Sequence, residues 1–144
     1  MLAANDAHLR KAGADPAWIR GVIGIAGPYD FLPLTDRNLI AIFGGANRAE
    51  TQPLTYIDGK RPPMLLAYGT DDTTVYPHNT LDLAAKLKSF GSPVEVAAYP
   101  GVGHIGIILS LAPGFQDRTT LRQDISRFVE KAARNAKSER VIDR

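Results

Sequence analysis

The sequence predicts an α/β fold of about three parallel strands flanked by helices. Three observations predict it. Apolar runs of strand length occur in "VIGIAG", "MLLAYG" and "VEVAAY". Segments of helical periodicity separate them, and strands alternating with helices imply right-handed βαβ crossovers. Asp30, Asp72 and His104 each follow one of the predicted strands, which brings all three to one edge of the sheet, where such folds collect their functional groups.

The elements follow in order. Leu2–Ala12 reads as a helix with Gly13 as its stop and no capping residue ahead of it. Val22, Ile23 and Ile25 form an almost unbroken β-branched run, the pattern of a strand buried on both faces. Gly27, Pro28 and Pro33 then mark "GPYDFLPL" as a loop. Thr35 or Asp36 can cap a short helix over Asn38–Phe43, stopped by Gly44 and Gly45. Thr51 can cap another short helix, with Pro53 in its first turn.

Met64–Tyr68 is the body of the second strand, and "DDTTVYP" is the loop after it. His78–Phe90 is helical, with Leu81, Ala84, Ala85 and Leu87 as its apolar stripe and Gly91 as its stop. The third strand alternates at Val94, Val96 and Ala98. "GVGHIG" leads into the apolar segment Ile105–Leu111, and a last helix spans about Asp117–Ala136 with Ile125, Phe128, Val129 and Ala132 on its apolar face.

Composition narrows the function classes. A chain of 144 residues suits a single domain, and 44% hydrophobic with 22% charged residues is an ordinary soluble mixture. The net charge of +2 is too small to argue for nucleic acid, and "EKAARNAKSERVIDR" reads as a solvated helix end of mixed sign. The absence of cysteine removes disulfides, thiolate metal sites and a cysteine nucleophile, and fits a cytoplasmic protein. No apolar run reaches membrane-spanning length, and "MLAANDAHLRKAG" lacks the order of a signal peptide. His8, His78 and His104 share no ligand spacing, so neither metal nor cofactor is expected.

Asp72 and His104 carry the candidate chemistry. Histidine suits proton abstraction from a hydroxyl because its unperturbed pKa lies near neutrality. A carboxylate holds the tautomer of such a base and stabilises the imidazolium. Each residue also has a plainer reading. An aspartate in "GTDDTTV" caps the following helix or closes an Asx turn, and a histidine among glycines is often a satisfied loop residue. Their order after successive strands favours the catalytic reading. Asp71 competes with Asp72 and is expected to face solvent or bind loop amides. Asp30 is expected to tie its loop to backbone amides, His8 to lie on the surface and His78 at the rim of the site.

At these residues the chain resembles the C-terminal part of an α/β-hydrolase, in the carboxylesterase branch. "MLLAYGTDDTTVYPHNTLDLAAKLKSFGSPVEVAAYPGVGHIGI" is similar to that family's strand, acid loop, helix, strand and histidine loop. Gly69, Asp72 and Val75 fit the family spacing around the acid, which selects Asp72 over Asp71, and His104 after Gly103 fits the histidine position. "AGPYDFLPL" resembles the segment after an earlier strand. The resemblance implies a Ser-Asp-His hydrolase of carboxylic esters, with Asp72 and His104 as catalytic residues and a small-molecule ester as substrate.

One departure is informative. Such enzymes hold their nucleophile in G-x-S-x-G, upstream of the acid, and no such motif occurs here. Ser89, Ser92, Ser110, Ser126 and Ser138 all lack its glycines, and no "HGGG" oxyanion loop is present. "MLAANDAHLRKAG" resembles the helix that follows the nucleophile. The expectation is that residues 1–144 form the C-terminal part of a single α/β-hydrolase domain, with the upstream half of the sheet missing and inactive alone. A second copy or the missing N-terminal half is expected across the exposed sheet edge, and neither nucleic acid nor membrane is an expected partner. Two alternatives stand beside it: an amide-cleaving relative of arylformamidase or peptidase type, and a non-catalytic α/β interaction module. A Rossmann-type nucleotide binder would need a glycine-rich fingerprint that "GIAGPYD" does not supply.

Overall fold

The computed structural model describes residues 1–142. Strands β1 (Val22–Ile25), β2 (Met64–Gly69) and β3 (Val94–Tyr99) form one parallel sheet in the order β1-β2-β3. Val22 pairs with Met64 and Met64 with Val94, so the strands run in register to Gly69 and Tyr99. The helices are α1 (Asp6–Lys11), α2 (Arg37–Phe43), α3 (His78–Ser89), α4 (His104–Leu109) and α5 (Leu121–Ile142). Asp143 and Arg144, the end of the mixed-charge stretch, lie outside the described residues.

Position in the sheet decides how each strand is buried. Central β2 needs apolar residues on both faces, and Met64, Leu65, Leu66 and Ala67 are all buried. Leu66 joins a core with Leu83, Leu87, Ile57 and Ala4 on one face; Ala67 joins Tyr99, Ile107 and Leu121 on the other. Strand β1 has the same kind of sequence yet is only half-buried. It is an edge strand among the described residues, so the expectation of two covered faces is corrected. In β3, Tyr99 is buried and Ala97 half-buried, while Val96 and Ala98 are exposed. That reverses the expected alternation beyond Val94: α3 reaches Val94, and the core beneath α4 and α5 takes up Ala97 and Tyr99 on the opposite face.

Helix boundaries follow capping chemistry more closely than apolar spacing. Helix α1 starts at Asp6, because the Asn5 side chain accepts the Ala7 amide at 3.0 Å. The uncapped start at Leu2 is therefore corrected, and Ala4 is buried where Leu2 is exposed. Asp36, not Thr35, caps α2 by accepting the amides of Asn38 and Leu39, and Gly44 closes it in the left-handed region at φ 74°. Thr51 caps nothing: it ends a 3₁₀ turn and donates to the Arg48 carbonyl.

The buried stripe of α3 is Thr80, Leu83, Ala84 and Leu87, at helical spacing, with Asn79 beside it. Leu81 and Ala85 of the expected stripe are exposed; they belong to the neighbouring face. Helix α5 begins at Leu121 after a 3₁₀ turn, later than expected, with the Leu121 amide bonded to the Thr119 hydroxyl. Leu121 and Phe128 are buried from it, while Val129 is exposed.

Two glycines of "GIAGPY" make room for one ring. A Cβ on Gly24 would stand 2.1 Å from the Tyr29 hydroxyl, and one on Gly27 would stand 2.5 Å from the same ring. Tyr29 thus folds back over β1 and caps the core on that face. Burial raises its pKa against an opposing backbone hydrogen bond at Gly27.

Helix α5 is tied to the sheet by Tyr99, whose hydroxyl donates to Asp124 Oδ2 at 2.7 Å; Thr120 donates to the same oxygen at 2.8 Å. Burial and the Asp124 bond together raise the Tyr99 phenol well above its usual range. Burial pushes Asp124 up, but the bonds from Tyr99 and Thr120 and the Arg127 guanidinium outweigh it, so its carboxyl is lowered. The signs oppose each other. Asp124 contributes stability above the ordinary carboxylate range that is lost as pH falls through its lowered pKa. Tyr99 contributes stability below the ordinary tyrosine value that is lost as pH rises past it. Urea midpoints should therefore fall above about pH 10. Tyr99→Phe should reduce that alkaline fall, leaving the part due to buried Tyr29, and cost about 1 kcal/mol at pH 7.

Strands β2 and β3 end in close contact. A Cβ on Gly69 would lie 2.0 Å from the Val102 carbonyl oxygen and 2.7 Å from its carbon, both backbone atoms that cannot swing aside. Gly69→Ala should destabilise the protein by about 1–3 kcal/mol, the range of overpacking. Gly59→Ala, whose added Cβ would meet nothing closer than 3.7 Å, should stay within about 0.5 kcal/mol in the same urea titrations.

Candidate active site

The close approach at Gly69 continues into the two loops beyond it. The Thr70 amide donates to the Tyr99 carbonyl and the Asp71 amide to the Val102 carbonyl, each at 3.1 Å. The Thr70 hydroxyl accepts the Gly101 amide at 3.0 Å and donates to Asp71 Oδ1 at 2.9 Å. Strand pairing thus persists past the sheet, and the loops that carry Asp72 and His104 leave it stitched together. Gly101 supplies a left-handed turn at φ 71° that swings the second loop back. His104 then opens α4, directly after the extended Gly103.

These loops bring the two predicted site residues into contact. His104 Nδ1 lies 2.8 Å from Asp72 Oδ2. A carboxylate only accepts, so Nδ1 carries the proton; in the neutral ring Nε2 is then the lone-pair nitrogen. The other oxygen, Oδ1, accepts the Thr74 and Val75 amides at 2.9 and 2.8 Å. Asp72 is 2% exposed, whereas a quarter of the His104 side chain meets solvent. The Asx-turn reading and the acid–histidine reading of Asp72 both hold, one oxygen for each. Chemically, the arrangement is a histidine of fixed tautomer and orientation, supported from behind and open in front.

The other candidates separate from this pair. Asp71 is exposed and bonded to Thr70, in keeping with its expected place at the surface. Asp30 does not tie its loop down as expected. The loop amides are instead taken by two other side chains: Asn79 Oδ1 accepts from Tyr29 and Asp30, and Gln52 Oε1 accepts from Phe31 and Leu32. His78 lies at the head of α3, with Nε2 3.0 Å from the Asp30 carbonyl and 3.3 Å from the Asn79 amide nitrogen. His8 is exposed on α1.

None of the described serine side chains is bonded to His104. Ser89, Ser110 and Ser126 each donate to a carbonyl of their own helix, and Ser92 accepts the Arg61 amide. The Ser138 side chain lies outside the described part. Among the described residues no group of three or more His, Cys, Asp or Glu could hold a metal ion, and no helix is long and apolar enough to cross a membrane.

Sequence reasoning missed Thr70, Asn79 and Gln52. Each acts through hydrogen bonds to distant backbone, and only the polar Asn79 at the start of an amphipathic helix left a signal.

Comparison with known proteins bears on the family and the fold. The sequence matches the prolyl oligopeptidase family (peptidase S9) over residues 34–135. No curated protein matches it significantly. Among solved structures, the chain is similar to the apo form of Thermogutta terrifontis esterase 2, at 21% identity and a TM-score of 0.61, over 80% of this chain and 42% of that one. The native form of this planctomycete esterase gives 20% identity and a TM-score of 0.59, over 77% and 40%. A truncated carbohydrate esterase from gut microbiota gives 17% and 0.53, over 71% and 43%. At these identities the likeness is one of fold: three parallel strands flanked by helices, as in part of an α/β-hydrolase. The chain spans about two fifths of the length of each of these structures. The family match takes in β2, β3 and both loops that carry Asp72 and His104 and covers more than half of the sequence, and the chain therefore belongs to the prolyl oligopeptidase family, with an α/β-hydrolase fold.

Proposed function

We propose that residues 1–144 are the acid–histidine part of a serine carboxylic-ester hydrolase, the C-terminal part of one domain whose nucleophile lies outside these residues. The observation that carries the reading is the contact of His104 Nδ1 with Asp72 Oδ2 at the carboxyl ends of β2 and β3. The absence of G-x-S-x-G and the engagement of the described serines elsewhere support a nucleophile from another segment. The open edge of β1 is where the strands that carry it would pair. The esterases among the similar structures favour a small-molecule ester as substrate.

In this reading His104 Nε2 takes the proton from the serine hydroxyl as it attacks the ester carbonyl. The same nitrogen returns the proton to the leaving alcohol, which departs as the acyl-enzyme forms. Water then repeats the sequence and releases the acid. Asp72 keeps the proton on Nδ1, so that Nε2 is always the acceptor at the start, and stabilises the imidazolium formed in between.

A second reading, hydrolysis of a peptide or other amide, is favoured by one observation: the family matched is described by a prolyl oligopeptidase. The acid and histidine would serve either leaving group, because both reactions need the same proton returned.

The test has two arms. The 144-residue chain, treated with a fluorophosphonate probe, should show no mass adduct and no turnover of p-nitrophenyl butyrate. A stoichiometric adduct abolished by His104→Ala would place the nucleophile within the chain and overturn the proposal. When the chain is joined to an upstream segment bearing a G-x-S-x-G serine, ester hydrolysis should appear. His104→Ala should then lower kcat by about 10⁴-fold or more, and Asp72→Asn by about 10⁴-fold. Faster cleavage of a prolyl anilide than of the ester would favour the amide reading.

A further inference from the structure

We infer that Thr70 and Asp71 together are positioning residues for His104: the Asp71 carboxylate fixes the Thr70 hydroxyl, and that hydroxyl holds the histidine loop at Gly101. The inference rests on the function proposed above for its use in proton transfer, but the hold itself stands on separate observations.

The first is place. Residues 70 and 71 of the acid loop touch three consecutive residues of the histidine loop. Thr70 Oγ1 accepts the Gly101 amide at 3.0 Å, and the Asp71 amide donates to the Val102 carbonyl at 3.1 Å. A Cβ on Gly103 would stand 3.5 Å from the Asp71 carbonyl oxygen. His104 is the next residue, and its Nδ1 meets Asp72, which directly follows Asp71. Both members of the pair therefore leave one stitched segment.

The second is where that segment is free to move. Gly101 sits at φ 71°, and glycine has the widest choice of backbone conformations. A Cβ there would meet nothing within 4 Å, so no neighbour packs against that side of the residue. Gly103 follows two positions later, just ahead of His104. The Thr70 hydroxyl takes hold of the loop at its loosest point, through the one group of Gly101 that donates. Thr70, Asp71 and Gly101 are all exposed, so the bond competes with water. Its loss changes the site by a small factor and leaves the fold in place.

The third is the chemistry of the hydroxyl. It has one proton to give and lone pairs to accept with. Asp71 Oδ1, 2.9 Å away, only accepts, so the Thr70 proton points there and a lone pair is left for the Gly101 amide. Without Asp71 the hydroxyl turns freely and spends part of its time with its own proton toward that amide. The bond to a carboxylate also polarises the hydroxyl and makes its oxygen the better acceptor. The β-branched side chain adds a stiff χ1 to this arrangement. The two adjacent aspartates thus act on one histidine from two directions: Asp72 on its ring, Asp71 on its backbone approach.

The experiment needs no nucleophile. Ring-nitrogen chemical shifts of His104 in the 144-residue chain give the ratio of the Nε2–H to the Nδ1–H form of the neutral ring. Thr70→Val and Asp71→Ala should each raise that ratio about threefold or more, the worth of one hydrogen bond, and speed hydrogen exchange of the Gly101 amide. Thr70→Ser keeps a hydroxyl and Asp71→Asn keeps an acceptor, so both should stay within about twofold of the native chain. Asp71→Asn also removes the charge, which separates the hydrogen bond from a field effect at the ring. Asn5→Ala, which removes the α1 cap, should lower the urea midpoint and leave the ratio where it was. A ratio unmoved in both Thr70→Val and Asp71→Ala, or moved as far in Asn5→Ala, would overturn the inference. If Thr70→Val does not fold, Asp71→Ala at its exposed position decides alone. Failure of hydrolysis in the extended protein, with these shifts as expected, would sink the proposed function and spare the hold on His104. The converse result would remove the hold alone.

Discussion

The carboxylate of Asp72 is buried, and burial of an ionised carboxylate is costly unless its lone pairs are occupied. Here they are occupied in two directions. Oδ1 closes the turn over Thr74 and Val75; Oδ2 faces the His104 ring. The same group thus shapes the loop after β2 and aims the residue after β3. Its place depends in turn on the strand ends being pinned together, which requires a residue without a side chain at Gly69, against the Val102 backbone. Geometry at the site is therefore inherited from the pairing of β2 and β3, and little is left to the loops themselves. Thr70 carries the pairing one step further by bridging Gly101 and Asp71.

Strand β1 shows the opposite condition. Val22, Ile23 and Ile25 suit a strand with neighbours on both sides and helices on both faces, yet they stay half-buried at the edge of the sheet. An edge of this kind presents a row of backbone donors and acceptors beside apolar side chains, a template for another strand. Exposed Ile105 and Ile108 on α4 add apolar surface next to His104. On the proposed reading, one missing segment explains both features, because the strands that would cover the edge are also those that would deliver a nucleophile.

Much of this was legible in the sequence, for physical reasons that differ between elements. The three strands are continuous apolar runs bounded by glycine and proline, a signal that survives any tertiary detail. Asp72 and His104 were legible because a parallel sheet sends successive strand ends to one side, so order along the chain becomes proximity in space. Burial was less legible. The Leu81–Ala85 pair of α3 is as apolar as the face that packs, and only the sheet decides which is turned inward. Val96 and Ala98 alternate correctly but lie beyond the reach of α3. Helix α1 was misread because its apolar pattern begins before Asn5, while the backbone obeys the cap. Asn79 and Gln52 were invisible because their partners, the amides of residues 29–32, lie far away along the chain and become partners only after folding.

The division of labour in Asp72 also bears on what the pair is for. An Asx turn needs one oxygen, and Thr74 and Val75 already satisfy it through Oδ1. A purely structural aspartate would leave Oδ2 to another backbone amide or to water. Here Oδ2 meets a ring nitrogen whose far side is partly open, and the bond fixes which nitrogen faces outward. Structural use of a histidine gains nothing from fixing the outward nitrogen, whereas proton transfer depends on it. The asymmetry between a sealed acid and a half-open base is what a general base requires: the acid must be dry enough to hold one tautomer, and the base must be reachable. On the proposed reading, a nucleophile that comes from outside these residues leaves that asymmetry intact, which fits one part of a catalytic apparatus better than old loops that have drifted to a new purpose.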